Sequence, residues 1–385
     1  MAPSSGRKGA KAATAAADEI PASNIVGINK ETVTNTVSTD YPGHYVDEDH
    51  AWDKEHFRSN FRVQFHANDQ HEAQFSLVGV DASIANAFRR ILIAEIPTLA
   101  IDIVFMHNNT SVIQDEVLAH RLGLIPFTGS KRGIRDWMRF FKPPAEGQDT
   151  YDTTFDNNTV SLKLAVKCEH NKDAPADSSD PKELYHNAHV YARDIEFQPL
   201  GGQEQYFSGP EGAIRPVNPD ILVAKLRPGQ EVDIEMHMHK GYGWDHAKWS
   251  PVSTASYRLM PIINITRPVL GDDARKFQSC FPEGVIALEK VTRQEAKTAG
   301  SGYEGHEGEV KAVVADPMRD TVSREVLRHP EFEGKVKLGR RKNHFIFSIE
   351  STGQWDSDEL FVEAVKTLKR KCQRLRPAVL QMVQA

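Results

Sequence analysis

Hydrophobic and polar positions along the chain indicate a mixture of strands and helices. Helical spacing predicts helices over residues 81–95, from a capping-box pattern at 111–114 to Gly123, over residues 321–328, and from Asp356 toward the C-terminus. Apolar residues alternate with polar ones, the pattern of half-buried strands, in residues 61–66, 73–80, 159–166, 188–197, 231–240 and 343–350. Strands are also predicted over residues 99–106, 257–265 and 309–314.

The helix predicted at residues 81–95 is apolar around an unusually wide arc. Asp81 is a suitable N-cap, and Pro97 ends the helix because it disfavours helical backbone at Ile96. At 100° per residue the apolar side chains span roughly 200°, whereas an ordinary surface helix needs about 100°. Such a helix must pack against two surfaces, and we expect one to be the chain's own sheet and the other a second polypeptide. The apolar side chains are Ile84, Ala85, Ala87, Phe88, Ile91, Leu92, Ala94 and Ile96.

The remaining face of this helix mixes charge with one aliphatic residue. Arg89 and Arg90 lie beside Ile93, together with Asn86. Arginine next to an apolar anchor is typical of interface cores. A face of solvated arginines with a scattered surface isoleucine fits the same pattern.

The C-terminal helix carries a narrow apolar stripe. Its spacing alternates between four and three residues and covers about 80°, which favours packing against another helix. Packing onto the chain's own sheet is the alternative. The outside of the helix is basic, which suits either a solvated face or contact with nucleic acid. The stripe consists of Phe361, Val365, Leu368, Cys372, Leu375 and Val379, and the basic side chains are Lys366, Lys369, Arg370, Lys371, Arg374 and Arg376.

Composition and charge narrow the class of protein. The 385 residues suffice for two or three domains, and residues 1–55 are predicted to form an extended, partly disordered arm, with order beginning near Phe57. The net charge of −6 argues against a protein that grips nucleic acid through its phosphates. Cys168, Cys280 and Cys372 are too far apart for a paired-cysteine metal site, and the pattern favours a reducing compartment.

Catalytic chemistry has one candidate cluster. His237 and His239 share one face of a predicted strand, and Asp245 and His246 follow, so these residues could bind a metal in a hydrolase. Strand histidines with this spacing are also found as half-exposed residues without a ligand. The sequence contains no GxxxxGK[ST] motif, no GxGxxG motif between a predicted strand and a predicted helix, and no GxSxG nucleophile elbow.

Five sequence blocks resemble the α-like subunits of multisubunit RNA polymerases. The resemblance runs in family order from about residue 57 to the end of the chain. The blocks are NAFRRIL at 86–92, EIPTLAID at 95–102, DEVLAHRLGLIP at 115–126, HAKWSPV at 246–252 and FIFSIESTG at 345–353.

The resemblance implies an α+β fold in which a dimerisation domain, an antiparallel sheet packed by helices, is interrupted by insertions. The dimerisation domain would comprise residues 56–98, 252–267 and 341–385. Residues 99–251 would form an inserted, mostly β domain, and residues 268–340 a small ferredoxin-like insertion. Because that insertion keeps only Cys280, no iron–sulfur cluster and no other cofactor is expected.

The resemblance also implies partners and residue roles. Residues 129–167 lack the zinc-binding cysteines of the RNA polymerase II paralogue, which favours the larger α-like subunit shared by polymerases I and III. Such a subunit would be non-catalytic, would work in the nucleus and nucleolus for rRNA, 5S rRNA and tRNA transcription, and would contact DNA indirectly at most. Arg89, Arg90 and Ile93 would contact the second-largest, β-like subunit. The smaller α-like subunit would bind Ile84, Phe88, Ile91, Phe361, Val365, Leu368, Cys372 and Leu375.

Overall fold

The computed structural model describes residues 20–37, 51–144, 146, 149, 153–173 and 179–384. Short 3-10 turns connect many of the elements in these ranges. The helices are α1 Lys54–Asn60, α2 Ala82–Ala94, α3 Asp115–Gly123, α4 Pro181–Leu184, α5 Gly209–Gly212, α6 Gly271–Ser279, α7 Arg293–Lys297 and α8 Ser357–Gln384. The strands are β1 Ile25–Ile28, β2 Val33–Thr34, β3 Arg62–Asn68, β4 Glu72–Val78, β5 Thr98–Asn109, β6 Phe127–Thr128, β7 Thr159–Lys167, β8 Glu169–His170, β9 Tyr185–His186, β10 His189–Tyr191, β11 Glu196–Gln198, β12 Arg215–Pro216, β13 Leu222–Lys225, β14 Glu231–Gly241, β15 Val252–Ile265, β16 Ile286–Lys290, β17 Val310–Val314 and β18 Val336–Ser351.

The larger sheet has the strand order β2-β1-β18-β4-β3, and β15 also pairs with β18. The alternation predicted in the last strand is confirmed, since Phe345, Phe347 and Ile349 are all buried. Ile346 is buried as well, so both faces of β18 are covered at this point. Phe75 of β4 stacks on Phe347, with ring centroids 5.3 Å apart.

The described chain divides into two compact units. The first lies within residues 1–64, 75–85 and 257–347. One of its cores gathers the apolar side of α6, the hairpin of β16 and β17, and the start of β18. Phe277 and Phe332 meet edge to face there, with centroids 5.2 Å apart. Residues 268–340, predicted to be a ferredoxin-like insertion, contain α6, α7, β16 and β17.

The second unit comprises residues 65–74, 86–256 and 348–385. Its main sheet has the order β11-β7-β14-β5, with all pairs antiparallel. One face of β14 presents Val232, Ile234, Met236 and Met238, which are buried in the core of this unit. The period of two that predicted this strand therefore also identifies its core face.

The N-terminal arm is partly structured. The prediction that order begins near Phe57 is wrong for β1 and β2, because β1 pairs with β18 and buries Val26 and Ile28. Gly27 permits this hairpin, since a Cβ atom there would lie 2.5 Å from Thr34 Oγ1. Other parts of the predicted arm, residues 1–19 and 38–50, lie outside the described residues.

Two predicted helices differ from the observed ones. The helix predicted from residue 111 begins at Asp115, because Ser111 closes a local turn in which its Oγ accepts a hydrogen bond from Ile113 N at 3.2 Å. The helix predicted over 321–328 is a 3-10 turn, Glu325–Arg328. Val322 and Arg324, at φ of 57° and 62°, are in the left-handed region and prevent an earlier start.

The strand predicted over residues 188–197 is divided into β10 and β11. A 3-10 turn, Ala192–Asp194, separates them, and the Asp194 carboxylate accepts a hydrogen bond from Tyr191 N at 2.7 Å. The two halves pair with different strands, β13 and β7. A side-chain cap inside an alternating stretch therefore interrupts the strand.

None of the helices in the described ranges combines the length and the apolar character that a membrane crossing requires.

Candidate functional site

Helix α2 is confirmed at the predicted place, with Asp81 at its start. The Asp81 carboxylate accepts a hydrogen bond from Ser83 N at 2.9 Å. Much of the wide apolar arc is buried within this chain alone, including Phe88 and Ile91. Ile84 remains 36% exposed on the same helix. The chain's own residues therefore cover more of the arc than the sequence indicated.

Helix α8 begins in a buried environment. Phe361 meets Phe88 edge to face, with ring centroids 5.4 Å apart and planes at 64°. Ser357 donates from Oγ to Asp69 O at 2.6 Å, and Leu360 and Ala364 are fully buried. We call residues 357–364 the proximal segment of α8; it is packed into the second unit.

Two cations hold the proximal segment by ion pairs. Lys131 Nζ lies 2.5 Å from a carboxylate oxygen of Asp356 and 2.5 Å from one of Glu359. Burial opposes the Lys131 charge, but the two carboxylates overcome it and raise the pKa of its ammonium. Arg135 Nη1 lies 3.0 Å from Oε1 of the buried Glu363. These contacts fix the direction in which α8 leaves the unit.

A buried lysine supports the segment that supplies these cations. Lys240, at the end of β14, donates from Nζ to Arg135 O at 3.1 Å and to Met138 O at 3.0 Å. Lys240 is only 8% exposed, and burial lowers the pKa of its ammonium to about 8. Sequence reasoning missed Lys240; the available signal was a lysine that directly follows the Met-His-Met-His run of residues 236–239 in a predicted strand.

The rest of α8 is exposed. Residues 369–383, which we call the distal segment, are exposed throughout, and they include Leu375 at 64% and Val379 at 55%. Along the predicted stripe, Phe361 is buried, Leu368 is half-buried, and Val365 and Cys372 are exposed. The stripe thus runs from the interior of the chain into solvent.

The predicted Arg/Ile face lies on the C-terminal half of α2. Arg89 donates from Nε and Nη2 to Asn86 Oδ1 at 3.1 and 3.0 Å, which aligns its guanidinium along the helix. Arg90 is exposed and Ile93 is half-buried. Within the described ranges, neither arginine forms an ion pair with a carboxylate of this chain. Both cations are therefore available to a partner.

Two contacts fix the C-terminal end of α2. Lys371 of α8 lies 2.6 Å from both carboxylate oxygens of Glu95. The loop after β14 packs on the helix backbone: a Cβ atom at Gly243 would lie 2.2 Å from Ile93 O, so only glycine fits there. Trp249 then anchors the loop by donating from Nε1 to His239 O at 3.0 Å.

The candidate metal-binding histidines are engaged separately. His237 pairs with Glu235 at 3.2 Å, and burial lowers the pKa of its imidazole. His239 lies 3.0 Å from Asp102 Oδ2 and stacks on Phe141. His237 and His239 are buried, rather than half-exposed as strand histidines of this spacing often are.

His246 has another role. It is exposed and accepts a hydrogen bond from Lys248 N, which caps a 3-10 turn. Asp245 is exposed beside it. Among the residues that the structure describes, no group of three or more His, Cys, Asp and Glu side chains could hold a metal ion.

Comparison with known protein families finds a match over most of the chain. Residues 74–372 match the family described as the RNA polymerase Rpb3/Rpb11 dimerisation domain. The chain belongs to this family. The matched residues include α2 and all of α8 up to Cys372, so the proximal segment and the start of the distal segment lie inside the dimerisation family's region.

Relatives within this family are similar over most of the chain. The DNA-directed RNA polymerases I and III subunit RPAC1 of Saccharomyces cerevisiae is 50% identical over 354 residues, 92% of this chain and 98% of the relative. The Homo sapiens protein of the same name is 46% identical over 363 residues, 94% of this chain and 96% of its own. The Arabidopsis thaliana DNA-directed RNA polymerases II, IV and V subunit 3 is 32% identical over 315 residues, which are 79% of this chain and 86% of the relative.

Proposed function

We propose that the chain is the larger α-like subunit shared by RNA polymerases I and III and acts as a non-catalytic assembly subunit. The observation that carries this proposal is the similarity, over nine-tenths of the chain, to subunits of those two polymerases at 46–50% identity. The relative named as a subunit of polymerases II, IV and V is 32% identical, so the alternative that this chain is the polymerase II paralogue has weaker support. The histidine contacts give no support to a metal-dependent hydrolase.

This function places the chain in the nucleus, and in the nucleolus where polymerase I works. Its contribution to rRNA, 5S rRNA and tRNA synthesis would be structural. The fold supporting it would be a dimerisation domain of residues 56–98, 252–267 and 341–385, with insertions at 99–251 and 268–340. DNA contact would be indirect at most.

The smaller α-like subunit is the proposed partner of the apolar stripe on α8. Leu375, Cys372 and Val365 are exposed here, and an aliphatic side chain that becomes fully buried contributes about 1.5–3 kcal/mol. A stripe with alternating spacings of four and three residues fits a partner helix. Ile84 and Leu368 would complete this contact from α2 and from the middle of α8.

The heterodimer would be stabilised indirectly by Phe88, Ile91 and Phe361, from inside this chain. They are buried within this chain, and the Phe88–Phe361 contact joins α2 to α8. A partner would touch the surface that these side chains hold in place. Their effect on the heterodimer would therefore come mainly through the orientation of the two helices.

The β-like subunit is the proposed partner of Arg89, Arg90 and Ile93. Arg89 is already oriented by Asn86, which lowers the entropy that it loses on binding. Arg90 is exposed and offers donors for a bidentate contact with a carboxylate. Ile93 would be the apolar anchor between them.

The heterodimer is tested by adding charge to the stripe. We expect Leu375→Asp with Val379→Asp to abolish co-purification of the smaller α-like subunit on co-expression, because both carboxylates would be buried. Gln373→Asp with Gln381→Asp is the matched control, since Gln373 lies about 160° around the helix from Leu375 and Gln381 about 160° from Val379. Retention of the partner by the stripe variant, or equal loss in the control, would contradict the proposal.

The β-like face is tested with Arg90→Glu and Ile93→Asp together. This variant should keep the smaller α-like subunit but weaken capture of the β-like subunit in a three-protein pull-down. Equal loss of both partners would show that the two faces are assigned wrongly.

A further inference from the structure

Three aromatic rings form an exposed stack in the second unit. Phe140 and Tyr242 stack with centroids 4.8 Å apart and planes at 28°, and Tyr242 and Trp244 follow at 4.4 Å and 37°. Trp244 is 60% exposed and Phe140 is 43% exposed. We call these three residues the aromatic stack; neither of the two proposed partner faces uses it.

The backbone and a buried cation make the aromatic stack rigid. Gly243, between Tyr242 and Trp244, packs so closely on Ile93 O that no side chain fits. Trp244 N donates to Ala94 O at 3.3 Å. Lys240 Nζ lies 5.2 Å from the centroid of Phe140. Rings held in this way lose little conformational freedom when they bind a partner.

The ion pair between Lys371 and Glu95, at 2.6 Å, brings α8 next to the aromatic stack, because Glu95 adjoins Ala94, whose carbonyl accepts the hydrogen bond from Trp244 N. Arg370 and Arg374 lie within three residues of Lys371.

Burial raises the pKa of the Tyr242 hydroxyl, and the nearby charges of Arg374 and Arg370 oppose that rise. Both arginines are exposed, and within the described ranges neither forms an ion pair. The nearby carboxylates are Glu95, which pairs with Lys371, Asp136, which pairs with Arg135 and also feels the charge of Arg370, and the exposed Asp245. The surface therefore combines exposed rings with two cations that have no carboxylate partner.

We infer that the aromatic stack, with Arg370 and Arg374, is a docking site for an acidic polypeptide segment within the assembled polymerase. Tryptophan, tyrosine and arginine are the residues most enriched in the hot spots of protein interfaces. The two guanidinium groups are suited to carboxylates. A nucleic acid would need a longer run of phosphate contacts, and the chain's net charge of −6 opposes it.

The site is distinct from the stripe that the smaller α-like subunit is proposed to cover. Arg370 and Arg374 lie about 140° and 100° around α8 from Leu375, on the side away from the stripe. The inference rests on the proposed function only in that the acidic segment comes from another polymerase subunit.

Photo-cross-linking in the purified polymerase tests the inference. With p-benzoylphenylalanine at position 244, we expect a cross-link to a segment of another subunit that is rich in Asp and Glu. The same probe at Val112, which is 87% exposed, is the position control. A cross-link to RNA or DNA, a cross-link to a segment without acidic residues, or no cross-link at position 244 would overturn the inference.

Charge reversal sharpens the test. Arg370→Glu with Arg374→Glu should lower the yield of the position 244 cross-link about tenfold, as expected when charge-assisted hydrogen bonds are lost. Lys369→Glu with Arg376→Glu changes the charge equally on other sides of the helix and should leave the yield unchanged. Equal effects in the two variants would overturn the inference. Failure of the unaltered chain to enter the polymerase would instead count against the proposed function, so the two failures are distinguishable.

Discussion

The proximal and distal segments of α8 belong to one helix and carry one apolar stripe, yet their surroundings are opposite. Phe361 is 7% exposed and meets Phe88, whereas Leu375 is 64% exposed and lies in a segment that is exposed throughout. The spacing of the stripe is the same in both. Helical periodicity therefore identifies the face that will be buried, but the rest of the chain decides whether that face is covered from within or left for a partner.

The largest difference between the segments should come from truncating an aromatic ring. We expect Phe361→Ala to lower the free energy of unfolding of the isolated chain by about 3–5 kcal/mol, because it leaves a cavity beside Phe88. Thermal and denaturant unfolding followed by circular dichroism would measure it. An effect below about 1 kcal/mol would show that the proximal segment is not part of the core.

The ion pair at the proximal segment should have the next largest effect. Arg135→Ala leaves the buried carboxylate of Glu363 with fewer partners, and we expect a loss of about 2 kcal/mol after allowing for the partial exposure of Arg135. Arg132→Ala, an exposed neighbour, is the control and should be close to neutral. Similar losses in both variants would mean that the pair does not hold α8.

The buried Lys240 should give a smaller, pH-dependent effect. Burial lowers its pKa from 10.5 to about 8 in the folded chain, so between these values the unfolded chain binds more protons. Stability must then rise with pH across this window. The comparison is with Lys240→Met, which lacks this titration but keeps all the others, and relative to it we expect the free energy of unfolding to rise by about 1 kcal/mol from pH 8 to 9. A flat or falling difference would contradict the burial of a charged ammonium.

The distal segment should show the smallest effect on stability. Leu375→Ala should change the free energy of unfolding of the isolated chain by less than about 0.5 kcal/mol, because the side chain is largely in solvent. The same variant should weaken binding of the smaller α-like subunit, measured by titration calorimetry. A large loss of stability in the isolated chain would remove the contrast between the two segments.

Local sequence signals predicted the elements that depend on their own residues. Asp81 and Pro97 bound α2, and alternation identified β14 and β18 with their buried faces. The predictions were wrong where a side chain reorganises its own backbone: Ser111 delays α3, and Asp194 divides a strand. These short-range hydrogen bonds compete with regular structure and leave the hydrophobic pattern unchanged.

The candidate site was predictable only in part, because much of it depends on distant contacts. The stripe and the Arg/Ile face follow from helical geometry. That Phe88 meets Phe361, or that Arg135 reaches Glu363, depends on residues more than two hundred positions apart. Similarly, Lys240 could not be recognised as a support for residues 135–138 before the chain had been folded around it.

Hydrogen exchange along α8 tests the central claim most directly. The chain would be measured alone and with the smaller α-like subunit, by mass spectrometry of peptides from residues 357–383. We predict slow exchange in the proximal segment in both states, and fast exchange in the distal segment that becomes slow only with the partner. Protection of the distal segment in the isolated chain, or no change on adding the partner, would contradict the account.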